Sequence, residues 1–145
     1  MFKARILVVD DEELLLELFV IKLRKLSHEV YKTSSSKEAL EILKCTPIDV
    51  LVADFKMPDI NGLTLIKSAI EIDPTIEGII LTGCLDAEIA ESAVKIGVVC
   101  CFEKPVDFSE LGNTIEKCMQ KKQRLDSTQS RKTCLQKLNC AMQSI

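Results

Sequence analysis

Short, continuous apolar runs alternate with longer segments of helical periodicity along most of the chain. Five of these runs are rich in β-branched residues, which is typical of strands buried on both faces of a parallel sheet. The predicted strands are Arg5–Val9, Val30–Thr33, Asp49–Ala53, Gly78–Leu81 and Val98–Phe102.

The segments between the strands have apolar residues at helical spacing. The predicted helices are Glu12–Leu26, Ser36–Lys44, Leu63–Ile72, Asp86–Ile96 and Phe108–Lys121. Ser36 and Asp86 are expected N-caps, and Gly97 is expected to end the fourth helix. We expect the Leu-rich first helix to lie in the core.

Five strands alternating with five helices indicate an α/β fold. We predict a doubly wound, five-stranded parallel sheet with helices on both faces, of the flavodoxin-like type. One domain is expected over residues 1–122. Residues 123–145 are expected to form a polar linker and a short basic amphipathic tail, either helical or the start of a truncated output region.

Composition adds an uneven charge to this picture. The chain has 145 residues, 47% of them hydrophobic, and a net charge of −3. Residues 115–145 carry +5 and the remainder −8, so an acidic body has a basic end. A net negative charge does not favour nucleic acid or anionic membranes. Neither a signal peptide nor a membrane span is indicated, so a cytoplasmic location is expected.

The cysteines do not indicate a metal site. There are seven of them, an odd number, and no Cys-x-x-Cys pair occurs. His28 is the single histidine and has no partner cluster for zinc. Reduced thiols that serve packing are the expectation, with the tail residues Cys134 and Cys140 the most exposed.

Chemistry concentrates where the predicted strands end. The carboxyl ends of parallel strands meet at one edge of a sheet, where ligands bind in such folds. The side chains expected at this edge belong to Asp10 and Asp11, Asp54, Thr82 with Gly83 beside it, and Lys104 followed by Pro105. Three carboxylates, one hydroxyl and one lysine should therefore converge.

This set of groups is suited to phosphoryl chemistry. Three carboxylates repel one another, and a divalent cation relieves that repulsion. Their oxygen ligands favour Mg²⁺, for which Mn²⁺ can substitute. A carboxylate can also act as a nucleophile towards phosphorus, while a lysine and a hydroxyl hold the phosphoryl oxygens.

These motifs resemble those of the response-regulator receiver domains of bacterial two-component signalling, the CheY-like family. The resemblance covers about residues 5–121. Its pieces are the acidic pair of Val8-Val9-Asp10-Asp11-Glu12, the stretch Asp54-x-x-Met57-Pro58-x-x-x-Gly62, the triplet Leu81-Thr82-Gly83, and Phe102-Glu103-Lys104-Pro105. Together and in this order they are very specific.

The resemblance implies a role for each matching residue. Asp54 corresponds to the phosphoacceptor. The implied Mg²⁺ ligands are Asp11, Asp10 largely through water, Asp54 and the backbone carbonyl of Lys56. Thr82 and Lys104 correspond to the switch hydroxyl and the phosphate-binding lysine. Pro58, Gly62, Gly83 and Pro105 are the implied structural residues, with a cis bond before Pro105. Lys56 and Cys84 correspond to positions that flank the phosphate's access path.

One position departs from the family pattern. An aromatic residue usually lies three positions before the lysine of the Lys-Pro pair and moves inward on activation. Cys101 occupies that position here, and strand alternation directs Phe102 to the opposite face. The usual transmission to the surface of the fourth helix, fifth strand and fifth helix is therefore in question.

The implied function is phosphorelay signal transduction. A sensor histidine kinase or a phosphotransfer protein would supply the phosphoryl group, and a downstream protein or an output domain would read that surface. A homodimer is another partner that the resemblance allows. The protein is expected to be a phosphoacceptor switch, with self-dephosphorylation, and not a metabolic enzyme.

Several other interpretations compete with this one. Asp10 and Asp11 could cap the first helix, Lys104 could be a surface lysine, and Thr82 a strand former. A phosphatase on the same fold would need a second acid where Lys56 stands. A phosphate-independent interaction module remains open because of Cys101. A nucleotide-binding fold lacks its glycine-rich loop, and a nucleic-acid role of the tail is disfavoured.

Overall fold

The computed structural model of the protein describes residues 3–122. The strands are β1 (Arg5–Val9), β2 (Glu29–Thr33), β3 (Val50–Asp54), β4 (Glu77–Thr82) and β5 (Cys100–Glu103). The helices are α1 (Glu13–Lys25), α2 (Ser36–Cys45), α3 (Gly62–Ile72) and α4 (Ala87–Ile96), followed by α5 over residues 108–122. The predicted tail, with Cys134 and Cys140, lies outside the described residues.

All strand pairs are parallel, in the order β2-β1-β3-β4-β5. The central strands are apolar and buried along their length, as β3 shows with five buried residues out of five. The doubly wound α/β prediction is therefore confirmed. Every strand ends at the same edge, which gathers the residues that follow β1, β3, β4 and β5.

Two apolar clusters cover the two faces of the sheet. On one face, α1 and α5 pack through Phe19, Leu23, Leu111 and Ile115 against alternate strand residues such as Val8. The other face packs α2, α3 and α4 against the intervening strand residues. Strand alternation explains why neighbouring residues of one strand belong to different clusters.

The helix ends show where local chemistry decides the boundary. Ser35, and not Ser36, caps α2, because the Ser35 side chain accepts from the Glu38 amide and Ser36 is the buried first helical residue. Asp86 caps α4 as predicted, through the Ile89 amide at 2.8 Å.

The beginning of β5 also differs from its prediction. Gly97 adopts a left-handed conformation (φ 96°) and ends α4. The amides of Gly97 and Val98 both bond back to the Ala93 carbonyl, which prevents Val98 from joining the sheet. The strand therefore begins at Cys100 and not at Val98.

The expectation that the whole first helix is core was wrong in part. Leu16 and Leu23 are buried, but Leu14 is 88% exposed and Leu18 40% exposed. A helix presents one face to the sheet, and these two leucines fall on the other. The packing role expected of the thiols likewise fails at Cys45 and Cys84, which are exposed at a helix end and in a loop.

Candidate functional site

The carboxylates of Asp10, Asp11 and Asp54 lie together at the carboxyl edge of the sheet. One oxygen from each lies within 4.8 Å of the others. Asp10 follows β1 and is fully buried, Asp54 ends β3 at 5% exposure, and Asp11 is exposed. The predicted cluster is thus assembled, with two members inside the protein and one facing solvent.

Both oxygens of Asp10 have a donor. Oδ1 accepts from the backbone amide of Glu12 at 2.9 Å, and Oδ2 accepts from Lys104 Nζ at 3.1 Å. The N-cap of α1 is Glu12, without a side-chain capping bond, so neither aspartate caps the helix. The capping interpretation is therefore wrong, and the Asp10 carboxylate is held inside the site.

Lys104 is the cation of the cluster. Its Nζ lies 3.4 Å from Asp54 Oδ1 and 3.9 Å from Glu12 Oε1, in addition to the bond with Asp10. Its side chain is 18% exposed, which excludes the interpretation as an ordinary surface lysine. The peptide bond between Lys104 and Pro105 is cis, as predicted.

The pKa values of Asp10 and Asp54 are raised because both carboxyls are buried close to one another. Burial raises the pKa of Asp10, although the Glu12 amide and Lys104 oppose the rise. Burial, and then the charge of Asp10, raise the pKa of Asp54. Burial alone would lower the pKa of Lys104, but Asp10 and Asp54 outweigh it and raise that pKa. Among residues 3–122, Lys104 is the cation that pairs with these carboxylates, so this part of the chain leaves the cluster short of positive charge.

The geometry therefore fits a divalent cation. Asp10, Asp11, Asp54 and Glu12 bring four carboxylates near one ammonium group, and all their donors are oxygens. Hard oxygen donors with excess negative charge suit Mg²⁺. Asp10, Asp11 and Asp54 are the residues that could hold the ion.

Thr82 is the last residue of β4 and is 4% exposed. It lies close to the end of β5. The backbone amide of Lys104 donates to the Thr82 carbonyl at 2.8 Å. The Thr82 hydroxyl donates to the Cys84 carbonyl at 3.2 Å, and the Cys84 amide donates back to Thr82 Oγ1 at 3.3 Å. Thr82 is thus both a strand residue and a buried hydroxyl beside the cluster, engaged within its own loop.

Two glycines of the motif have different surroundings. A Cβ on Gly62 would overlap the backbone carbonyl oxygen of Asp54, so the start of α3 can approach the end of β3 only without a side chain. The Gly62 amide also donates to the Phe55 carbonyl at 2.9 Å. A Cβ on Gly83 would meet no atom within 4 Å. Of these two glycines, Gly62 is the one whose close contact with the backbone leaves no room for a side chain.

The remaining predicted residues lie in the loops after β3 and β4 and on β5. Lys56 and Pro58 are exposed in the loop after β3, and Cys84 is exposed in the loop after β4. Cys101 is half-buried beside the second apolar cluster, while Phe102 belongs to the first. The predicted opposition of Cys101 and Phe102 is confirmed.

Two acidic residues, Glu103 near the site and Asp49 away from it, make polar contacts that were not predicted. Glu103 Oε1 accepts from the Leu85 amide at 3.3 Å. At the opposite edge of the sheet, Asp49 binds Arg5 through two oxygens and Lys122 at 3.2 Å. The sequence carries no motif for either contact, since both depend on where the backbone places the partners.

Comparison with known proteins identifies the class. The family model described as "Response regulator receiver domain" matches residues 6–116. A crystal structure of a response regulator receiver domain protein from Clostridium thermocellum is 36% identical, with a TM-score of 0.79. The match covers 84% of this chain and 98% of the C. thermocellum chain. The chain therefore belongs to the response regulator receiver domain family, the phosphoacceptor domains of two-component signalling.

Two curated relatives show the contexts in which such domains occur. The transcriptional regulatory protein ZraR of Escherichia coli K12 is 30% identical over 122 residues, which are 84% of this chain and 28% of that protein. Sporulation initiation phosphotransferase F of Bacillus subtilis is 26% identical over 117 residues, 81% of this chain and 94% of that protein. The chain thus spans about a quarter of one relative and nearly all of the other.

Proposed function

We propose that Asp54 accepts a phosphoryl group and that this modification switches a protein-interaction surface. The observation that carries the proposal is the placement of Asp54. Its carboxylate is nearly buried, lies 3.4 Å from Lys104 Nζ, and shares a 4.8 Å cluster with Asp10 and Asp11. A carboxylate is a nucleophile towards phosphorus when charge at the reacting oxygens is neutralised.

Each group of the site has a part in this reaction. An oxygen of Asp54 forms a bond to phosphorus as the bond to a donor's phosphohistidine nitrogen breaks. Lys104 remains beside the phosphoryl oxygens as a cation, and Thr82 can donate its hydroxyl hydrogen to one of them. Asp10, Asp11, Asp54 and the Lys56 carbonyl would hold Mg²⁺, which supplies positive charge to the same oxygens; Mn²⁺ would substitute.

Self-dephosphorylation would reverse the modification. Water would cleave the phosphorus–oxygen bond of the acyl phosphate and return Asp54 as a carboxylate. Lys56 and Cys84, both exposed on the loops beside the cluster, would influence how long the phosphoryl group lasts. On this proposal the protein is a phosphoacceptor switch and not a metabolic enzyme.

The proposed partners follow from the chemistry. A sensor histidine kinase or a phosphotransfer protein would donate to Asp54, and a downstream protein or an output domain would read the surface of α4, β5 and α5. A homodimer through that surface is a further proposal. No helix within residues 3–122 has the length and apolar character to span a membrane. A cytoplasmic location is a separate proposal, which rests on the two-component class of the domain. The division into a domain over 1–122 and a tail over 123–145 is also proposed.

Mg²⁺-dependent uptake from a small acyl phosphate tests the function. Intact mass should show one added phosphoryl group on the wild type and none after chelation of the metal. Asp54→Ala should show none, whereas Asp59→Ala, which changes an exposed aspartate in the loop after β3, should behave like the wild type. An adduct on Asp54→Ala equal to the wild type would contradict the proposal.

A relay role is a second candidate, favoured by Cys101. Without an aromatic residue at this position, a bound phosphoryl group lacks the family's usual means of altering the α4, β5 and α5 surface. A domain that only passes phosphate between histidines does not need that transmission, and the B. subtilis relative is named a phosphotransferase. Return of the phosphoryl group from Asp54 to a phosphotransfer histidine would support this role.

A further inference from the structure

A hydrogen bond ties the loop between β4 and α4 to the end of β5. The backbone amide of Leu85 donates to Glu103 Oε1 at 3.3 Å. Glu103 is the last residue of β5, and Leu85 directly precedes Asp86, the N-cap of α4. The bond therefore fixes the position of the loop immediately before the helix that belongs to the proposed output surface.

The same loop holds the Thr82 hydroxyl away from the phosphoryl position. Thr82 Oγ1 donates to the Cys84 carbonyl and accepts from the Cys84 amide. A hydroxyl hydrogen donated to Cys84 is not available to an oxygen on Asp54. The loop arrangement that Glu103 holds is thus one in which Thr82 is engaged elsewhere.

Glu103 and Cys101 lie on the same side of β5, because they are two residues apart in a strand. Phe102, between them, packs in the cluster on the opposite face. Cys101 stands where the family usually has its mobile aromatic residue. On this side of the strand, the described contact between β5 and the β4–α4 loop is made by the Glu103 carboxylate.

We propose that Glu103 is a positioning residue that holds the β4–α4 loop in its unphosphorylated arrangement. The proposal rests on phosphorylation of Asp54 as the function. When Thr82 leaves Cys84 to donate to a phosphoryl oxygen, the loop that carries Leu85 moves with it. On this proposal the Leu85–Glu103 bond belongs to the unphosphorylated state alone, so it opposes the change by its own net free energy.

The size of the effect follows from the exposure of the bond. Glu103 is exposed, so water competes for both partners. Loss of one such bond should shift a two-state equilibrium by about two- to tenfold. The apparent affinity for a phosphoryl mimic that requires the second state should rise by the same factor.

Titration with beryllium fluoride in the presence of Mg²⁺ tests the proposal, because this mimic binds without covalent chemistry. Amide resonances of Thr82, Cys84 and Leu85 would be followed in the wild type, Glu103→Ala, Glu103→Gln and Glu91→Ala. Glu103→Gln keeps a carbonyl acceptor but removes the charge. Glu91→Ala removes an exposed charge from α4 that pairs with Lys95.

Glu103→Ala should bind the mimic about two- to tenfold more tightly and lose hydrogen-exchange protection at the Leu85 amide. Glu103→Gln should stay nearer to the wild type, and Glu91→Ala should match it. Equal gains in affinity for the mimic in Glu103→Ala and Glu103→Gln would assign the effect to charge and would overturn the positioning role of the Leu85–Glu103 bond. An unchanged affinity in Glu103→Ala would overturn that role as well. Absence of any Mg²⁺-dependent binding in the wild type would instead reject the function on which the proposal rests.

Discussion

Lys104 lies closer to Asp10 than to the proposed acceptor. Its Nζ is 3.1 Å from Asp10 Oδ2 and 3.4 Å from Asp54 Oδ1. Asp10 is fully buried and also accepts from the Glu12 amide, so the lysine completes the hydrogen bonding of this carboxylate. Asp54 shares the cation and keeps a raised pKa, caused first by burial and then by the charge of Asp10.

The first prediction concerns the cost of this unbalanced charge. A carboxyl whose folded-state pKa is raised binds protons more tightly in the folded state, so its ionisation destabilises the fold as pH rises through that pKa. Asp54→Asn should therefore stabilise the metal-free protein at neutral pH by an amount on the order of 1 kcal/mol. Mg²⁺ should stabilise the wild type and have much less effect on the variant.

Urea unfolding with chelator and with Mg²⁺ measures both quantities. Asp59→Asn is the matched control, since it removes a carboxylate from the loop after β3, outside the cluster. A metal-free Asp54→Asn protein less stable than the wild type would show that Lys104 already balances the site. It would contradict the assignment of excess negative charge.

The second prediction compares two glycines. Gly62→Ala should destabilise the protein by about 1–3 kcal/mol, because the new Cβ must displace the Asp54 carbonyl or the start of α3. Gly83→Ala should change the free energy of unfolding by no more than about 0.5 kcal/mol, since its Cβ enters open space. Urea unfolding of the two variants checks the difference, and equal losses would show that the Gly62 contact relaxes at little cost.

The third prediction is an acid-side loss of stability through His28. This side chain is 6% exposed, its Nδ1 accepts from the Ala4 amide at 3.0 Å, and burial lowers its pKa. With the folded-state pKa below that of the unfolded chain, the unfolded state takes up the proton first. Stability should therefore be complete above the unfolded value of 6.5 and fall as pH drops below it.

His28→Gln isolates this contribution from those of the aspartates. The difference in unfolding free energy between wild type and variant should shrink between about pH 7.5 and pH 5.5, because only the wild type has the imidazole to protonate. Protonation of Asp10 and Asp54 in acid affects stability in the opposite direction to protonation of His28. Both proteins contain these aspartates, so their effect cancels in the difference. Parallel curves for the two proteins would contradict a buried neutral His28.

The fourth prediction concerns Cys101. Cys101→Tyr restores the aromatic residue typical of the family on the side of β5 that faces α4. The phosphorylation rate with a small acyl phosphate should stay within a factor of about two, because Cys101 packs against the second apolar cluster and is not a member of the carboxylate group. Hydrogen exchange of α4 should respond more strongly to phosphorylation than in the wild type. Equal changes in rate and in α4 exchange would count against separate roles for acceptor and transmission.

The sequence predicted those parts of the molecule that depend on strand ends. Parallel β-branched runs force Asp10, Asp54, Thr82 and Lys104 to one edge, so the cluster followed once the strands were identified. The N-cap of α2 is Ser35 and not the adjacent Ser36, and the pattern of hydrophobic and polar positions does not distinguish neighbouring serines. The exposure of Leu14 depends on helix orientation, which the three consecutive leucines at 14–16 leave undefined.

Contacts between backbone atoms and side chains that are distant in the chain could not be predicted from the sequence. The bond from Ala4 to His28 and the bond from Leu85 to Glu103 join residues whose types carry no motif. They arise because the residue before β1 lies beside the residue before β2, and because β5 ends beside the loop after β4. The orientation of the Thr82 hydroxyl towards Cys84 could not be predicted either, since it depends on the loop conformation.

Chemical location of the modified residue tests the central claim most directly. The protein would be treated with a small acyl phosphate and Mg²⁺, then with borohydride, which reduces an aspartyl phosphate to homoserine. Tandem mass spectrometry of the peptides would locate the reduced residue. We expect homoserine at position 54 only when donor and metal are both present. Reduction at another aspartate, with position 54 unchanged in folded protein, would contradict the account.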